Sequence, residues 1–308
     1  MEFLDVTERA AIEAHKFAGR GDEKGADKVA VDSMRSTLNK MRIEGTIVIG
    51  EGERDNAPML YAGEKVGLGG PAFDIAVDPL EGTTTCSLYR DGAMSVIAVA
   101  RPGCLLRAPD VYMDKIAVGP GLPEGVVSLD NDLKTNLHNL SRAKEREIPA
   151  LTAVVLKRDR HISIIEDLRK LGIRIRLIDD GDISAVMSLI SGENDIYIGI
   201  GGAPEGVLSA VLLASVGGQI EGRLILNTDS LREQARSFGI EDENRLYAIG
   251  DMVKGDAFFV ATGVTDSLTM RGISYGEGGC VRADSIILSP KGVVTRVSRT
   301  FYSGVPSA

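Results

Sequence analysis

The stretch FDIAVDPLEGT, residues 73–83, runs an apolar, β-branched strand into Asp78 and, three positions on, Glu81. Turning the chain needs Pro79 and Gly82 but not two carboxylates, so the acids call for another reason. At the carboxyl end of a strand both acids can face one cleft. A turn would leave the Leu80 carbonyl unpaired, Gly82 lets the backbone approach a ligand, and Thr83 opens a helix whose N–H groups attract anions. Hard divalent cations such as Mg²⁺ and Mn²⁺ take oxygen donors of this kind. The plain alternative is an Asp-Pro turn followed by a helix-capping Thr.

Three further strand ends carry polar groups. IVIGEGERD, residues 47–55, sets Glu51, Glu53 and Asp55 among glycines, where like charges repel unless solvent or a cation separates them. A solvated loop fits the same residues. GIGGAPEG, residues 199–206, resembles a dinucleotide loop but has Pro204 where the last glycine of G-x-G-x-x-G belongs. Its Glu205 suits a helix dipole or a metal ion equally. Arg158, Arg160 and His161 open a helix, a placement that suits a phosphate monoester, and Asp180-Gly181-Asp182 follows a strand, where aspartates suit sugar hydroxyls. A basic surface cluster and a turn are the alternatives. Tyr112 in APDVYMDK reads as a core aromatic or a lid over a ligand.

The elements that must hold these groups follow from periodicity. Helices are expected from Asp5-Val6-Thr7-Glu8, read as a capping box, and over GADKVAVDSMRSTLNKM, where Ala26, Val29, Ala30, Met34 and Leu38 form one stripe. Strands are expected at 46–50, 72–78, 93–100 and 111–118, with a helix near 131–143. Strand then alternates with helix from 151 to 226 and short strands close the chain, so the second half reads as a largely parallel sheet and the first as mixed. KEREIPA, residues 144–150, is the expected boundary between halves 1–145 and 146–308, which are expected to form one continuous α/β unit.

Composition excludes several classes. With 308 residues, 44% of them apolar, the chain can build a sizeable core. A net charge of −9 argues against nucleic acid and requires metal ions or local Arg and Lys if the substrate is a phosphate ester. Cys86, Cys104 and Cys280 form no C-x-x-C, and His15, His138 and His161 no H-x-x-x-H, so a structural zinc site and a disulfide framework are not expected. The longest apolar run, Ala93–Ala100, broken by Ser95, is far too short for a membrane span, and a soluble, cytoplasmic protein is expected.

GTIVIGEGERDNAPML, FDIAVDPLEGT, APDVYMDK, DGD and GIGGAPEG, in this order and spacing, closely resemble the class II fructose-1,6-bisphosphatases of the lithium-sensitive, metal-dependent sugar phosphatase superfamily. The resemblance implies a five-layer α/β/α/β/α sandwich with two mixed sheets, and Mg²⁺ or Mn²⁺ held by Asp27, Glu51, Asp78, the Leu80 carbonyl, Glu81 and Glu205. It implies sugar bisphosphate contacts at Glu81, Gly82, Thr83, Tyr112, Asp159, Arg160, His161, Asp180, Gly181, Asp182 and Gly202. It also implies a homodimer or homotetramer working in gluconeogenesis and glycerol metabolism. In the expected mechanism Thr83 orients a water or itself attacks phosphorus, and Glu53 or Asp55 accepts the proton. Rival readings are a phosphatase that also takes sedoheptulose 1,7-bisphosphate or inositol monophosphate, a dinucleotide-dependent oxidoreductase, and a non-catalytic cation-binding module.

Overall fold

The computed structural model describes residues 2–51, 59–290 and 292–302. They form an α/β protein with two mixed sheets. The chain divides into two compact units, one of residues 1–99, 258–289 and 293–308, the other of residues 100–257 and 290–292.

The first unit starts with helices α1 (Glu2–His15) and α2 (Glu23–Leu38), which pack on each other. Asp22 caps α2, accepting from the Gly25 N–H at 2.9 Å. Ala26, Ala30, Met34 and Leu38, four residues apart, make its buried stripe, and Met34 and Leu38 each contribute roughly 1.5–3 kcal/mol. α1 differs from the expectation: it begins at Glu2, and Asp5–Thr7 lie inside it. Leu4 and Val6 are buried, so the apolar face extends upstream, and the Thr7 hydroxyl donates to the Leu4 carbonyl rather than capping the helix. Buried Glu8 accepts from Arg299 Nη1 at 3.0 Å, and Arg299 also pairs with Asp5.

Strands β1 (Glu44–Ile49), β2 (Lys65–Val66) and β3 (Ala72–Glu81) follow, then helix α3 (Thr83–Ser87) and β4 (Met94–Ala100). The turn expected after Asp78 is absent, because β3 continues through Pro79 to Glu81. Pairing with β1 ends at Ala76, so a residue without an N–H is tolerated beyond it. The chain turns at Gly82 instead, with φ 82°.

The second unit contains β5 (Tyr112–Val118), α4 (Leu133–Ala143), β6 (Thr152–Leu156), α5 (Ile162–Lys170), β7 (Arg174–Ile178) and α6 (Asp182–Ile190). It continues with β8 (Ile196–Gly202), α7 (Ala203–Val216), β9 (Gln219–Leu224), α8 (Asp229–Ser237), β10 (Leu246–Ala248) and α9 (Ile249–Met252). Its sheet has the order β10-β9-β5-β8-β6-β7. Only β7-β6-β8 pair in parallel, which corrects the largely parallel sheet expected here. The helical crossovers do leave β6, β7, β8 and β9 running in one direction, but β5 enters between β8 and β9 in the opposite sense. The stretch 144–150 lies inside this unit, where Lys144 and Arg146 pair with buried Asp195 at 2.7 and 2.8 Å.

The chain then returns to the first unit through β11 (Ala257–Gly263), β12 (Ser274–Tyr275), β13 (Val281–Ser289) and β14 (Val293–Phe301). The sheet there runs β12-β13-β11-β4-β3-β1-β2, with β14 along β13. Among the described residues no helix is long and apolar enough to cross a membrane.

Candidate active site

In the first unit, the carboxyl end of β3 carries Asp78, half-buried, and Glu81, buried. Asp78 Oδ1 accepts from the Leu80 N–H at 3.1 Å, which fixes its orientation, and an oxygen of each carboxylate lies within 4.8 Å of the other. Two carboxylates held this close need a proton or a cation between them. The positive φ of Gly82 turns the chain at once into α3, whose first residue is half-buried Thr83. Asp27 is half-buried on α2, which packs against both α3 and β3. Glu51 is half-buried past the end of β1, and its N–H donates to the Leu60 carbonyl at 3.1 Å. A Cβ on Gly50 would come within 2.0 Å of that carbonyl, so only glycine lets the two segments meet. Glu53 and Asp55 lie outside the described residues.

In the second unit the expected substrate residues gather at one edge of the sheet. The segments carrying Arg158–His161, Asp180–Asp182 and Gly202–Glu205 follow the carboxyl ends of β6, β7 and β8, where open α/β sheets bind ligands. Tyr112 opens antiparallel β5 and stands opposite Gly202 in register, so it reaches the same edge. Arg160 Nε donates to the Ile200 carbonyl at 3.0 Å, and its guanidinium sits 4.7 Å from the centre of the exposed Tyr112 ring. Arg158 lies 3.7 Å from Asp180, Asp159 is exposed, and Gly181, with φ 94°, leads into α6 at Asp182.

His161 does not offer a free ring to an anion. It is fully buried: Nδ1 contacts the Leu156 carbonyl at 2.7 Å and Nε2 accepts from the Ile200 N–H at 2.7 Å. That pattern fixes the neutral tautomer with its proton on Nδ1, and burial moves its pKa below the ordinary range. The imidazole therefore ties the helix entry to β8.

GIGGAPEG has a mechanical explanation that needs no dinucleotide. A Cβ on Gly201 would fall 1.8 Å from Asp182 Oδ2, and one on Gly202 would fall 1.8 Å from Glu205 Oε2. The glycines make room for two carboxylates pressed against the end of β8. Between them lies a residue that the sequence reading missed. Lys115, only 1% exposed, donates to Asp182 Oδ2 at 2.5 Å and to the Gly202 carbonyl at 2.9 Å. Removing one member of such a buried pair costs about 3–5 kcal/mol, because the other charge is stranded. Glu205 Oε2 is buried without a hydrogen-bond partner. Burial pushes the Glu205 carboxyl upward, Lys115 opposes this and Asp182 adds to it. The available signal was a single lysine inside the apolar strand VYMDKIAV, which must find a counter-charge once buried.

The donors that the resemblance assigns to cations are all oxygen, which suits a hard cation rather than a softer metal, and in Glu205 they include a buried oxygen without a hydrogen-bond partner that a cation would satisfy.

Residues 1–302 match the family model described as bacterial fructose-1,6-bisphosphatase, glpX-encoded. The chain belongs to this family. It is 41% identical over 320 residues to "Fructose-1,6-bisphosphatase 1 class 2" of Escherichia coli (strain K12), covering 98% of this chain and 94% of that protein. It is 39% identical over 330 residues, with the same coverage, to "D-fructose 1,6-bisphosphatase class 2/sedoheptulose 1,7-bisphosphatase" of Synechococcus sp. (strain JA-3-3Ab). A Thermosynechococcus vestitus protein of the latter name is 37% identical over 331 residues, covering 98% of this chain and 95% of its own. Membership makes the chain a phosphoric monoester hydrolase, and it removes the oxidoreductase reading together with the purely cation-binding one.

Proposed function

We propose that this enzyme hydrolyses the 1-phosphate of fructose 1,6-bisphosphate, giving fructose 6-phosphate and phosphate, with divalent cations held by Asp27, Glu51, Asp78, the Leu80 carbonyl, Glu81 and Glu205. The observation that carries this reading is the Asp78–Glu81 pair, two carboxylates within 4.8 Å at the end of β3 and directly ahead of Thr83. When bound, Mg²⁺ or Mn²⁺ supplies the positive charge that offsets the phosphate oxygens and the leaving alkoxide in a protein whose own net charge is −9.

The chain's own groups have separate tasks. Thr83, at the turn made by Gly82, orients the attacking water or attacks phosphorus with its hydroxyl, and Glu53 or Asp55 takes the proton. Arg160, steadied by Tyr112 and the Ile200 carbonyl, holds the phosphate that does not react. Asp159 and Arg158 flank it, and His161 keeps their segment against β8. Asp180, Gly181 and Asp182 receive the sugar hydroxyls, with Gly82 and Gly202 admitting the ligand close to the backbone. Positioning of this kind is worth several orders of magnitude in rate.

The wider reading is a five-layer α/β/α/β/α sandwich in a cytoplasmic homodimer or homotetramer serving gluconeogenesis and glycerol metabolism. Two halves, 1–145 and 146–308, supply most of the metal ligands and most of the substrate contacts. A second substrate, sedoheptulose 1,7-bisphosphate, is favoured by the two relatives whose names carry both activities.

The test is phosphate release from fructose 1,6-bisphosphate, sedoheptulose 1,7-bisphosphate and inositol monophosphate, each with Mg²⁺, with Mn²⁺ and with chelator. Metal-dependent release from fructose 1,6-bisphosphate is expected. Release that chelator leaves untouched, or release from inositol monophosphate alone, refutes the reading.

A further inference from the structure

Lys115 lies in the middle of the second unit's sheet, paired in register with Gly199 on one side and Gly222 on the other. A lysine buried to 1% exposure pays a large desolvation cost, so its charge must be matched closely. It is matched by Asp182 Oδ2 at 2.5 Å, with the Gly202 carbonyl taking a second Nζ proton at 2.9 Å. Glu205 stands at the same strand end: a Cβ on Gly202, whose carbonyl bonds Lys115 Nζ, would fall 1.8 Å from Glu205 Oε2. One ammonium thus serves two carboxylates, and it bonds to only one of them. The Glu205 oxygen that is left over is buried and has no donor.

From this asymmetry we infer that Lys115 is a positioning residue, which reserves Asp182 for the sugar and leaves Glu205 as the carboxylate still seeking a cation. The inference rests on the phosphatase reading and assigns the residue that keeps its two binding functions apart. Without the ammonium, Asp182 and Glu205 would be two unmatched carboxylates beside one strand end. Such a pair recruits a cation of its own. Asp182 would then be drawn away from the substrate hydroxyls, and the enzyme would gain metal while losing sugar. Gly201 and Gly202 suit this arrangement, because side chains there would occupy the space that the two carboxylates use.

The test uses the full-length enzyme. Lys115→Met removes the charge and keeps the side-chain length. The Michaelis constant for fructose 1,6-bisphosphate at saturating Mn²⁺ is expected to rise at least tenfold, with kcat changed less than threefold. Electron paramagnetic resonance titration should show about one more tightly bound Mn²⁺ per chain than in wild type. Lys115→Arg should restore the wild-type Mn²⁺ count and at least part of the Michaelis constant.

A Michaelis constant within twofold of wild type together with an unchanged Mn²⁺ count overturns the inference, even where the thermal midpoint falls, since packing alone would produce that fall. If Lys115→Met does not fold, Lys115→Met/Asp182→Asn, which removes both charges, decides the matter against Asp182→Asn alone. Equal Michaelis constants and wild-type Mn²⁺ counts in those two variants support the pairing, and a further tenfold loss in the double variant overturns it. Wild-type enzyme that releases no phosphate with Mn²⁺ sinks the phosphatase reading instead, and the Mn²⁺ counts still judge the charge partition by themselves.

Discussion

Glu8 gives the fold a specific dependence on pH. It lies at 0% exposure on α1, and its carboxylate accepts from Arg299 Nη1 at 3.0 Å. Burial raises its pKa from 4.5 to about 7, more than Arg299 can offset, and the Asp5 charge pushes in the same direction. Because the folded value exceeds the unfolded one, the folded state holds this proton more tightly. The stability it contributes is therefore complete below about pH 4.5 and is lost as pH rises through about 7. At about 1.4 kcal/mol per pKa unit, a shift from 4.5 to about 7 amounts to roughly 3 kcal/mol. Glu8→Gln keeps the shape and cannot ionise. Urea unfolding of wild type and variant at pH 5, 6, 7, 8 and 9 should give stability curves that separate in the variant's favour by about 3 kcal/mol between the two ends. The variant's advantage should build as pH rises from about 4.5 and level off above about 7. Curves that stay parallel to within 0.5 kcal/mol would mean that Glu8 is hydrated or fully paired when ionised, and the reasoning from burial would fail.

Asp78→Asn and Glu51→Gln should each lower metal-dependent phosphate release to below a tenth of wild type while leaving the circular dichroism spectrum unchanged; release above that level counts against their assignment to the cations. Thr83→Ala should lose at least a hundredfold in kcat and Thr83→Ser less than tenfold; equal rates would remove the hydroxyl from the chemistry. The Cys86 thiol, fully buried, is raised to about 11, and Cys280 is buried too, whereas Cys104 is half-buried. One thiol per folded chain should therefore react quickly with a disulfide reagent at pH 8, and Cys104→Ser should abolish that fast phase.

Much of the site was readable because its chemistry sits at strand ends, where composition changes abruptly. FDIAVDPLEGT shows its acids directly after a β-branched run, and the strands and helices from Thr152 to Val216 follow the alternation visible in the chain. What the sequence hides depends on neighbours distant in the chain. Pro79 looks like a turn, yet it lies in β3, three positions past Ala76, where pairing with β1 ends. The insertion of β5 between β8 and β9 cannot be seen in local periodicity, since a strand's direction relative to its neighbours leaves no mark on its own pattern. Lys115 reads, beside Asp114, as one of two charged residues in an otherwise apolar strand until Asp182, 67 positions later, comes within 2.5 Å of it. His161 shows the reverse: beside two arginines it reads as an anion ligand, yet Leu156 and Ile200 engage both of its nitrogens.

The first unit is written in two instalments, up to residue 99 and again from residue 258. Strand β11 takes its place beside β4 in the interior of that sheet, so the early strands wait for a neighbour made late. At bacterial synthesis rates of about 5–20 residues per second, the intervening stretch 100–257 takes roughly 10–30 s to emerge. For that time the nascent chain exposes an open edge of β4, whose seven residues are all buried in the finished protein. A ribosome stalled before residue 258 would hold a polypeptide unable to close its first sheet, an attractive client for chaperones and a ready seed for misassembly between neighbouring nascent chains.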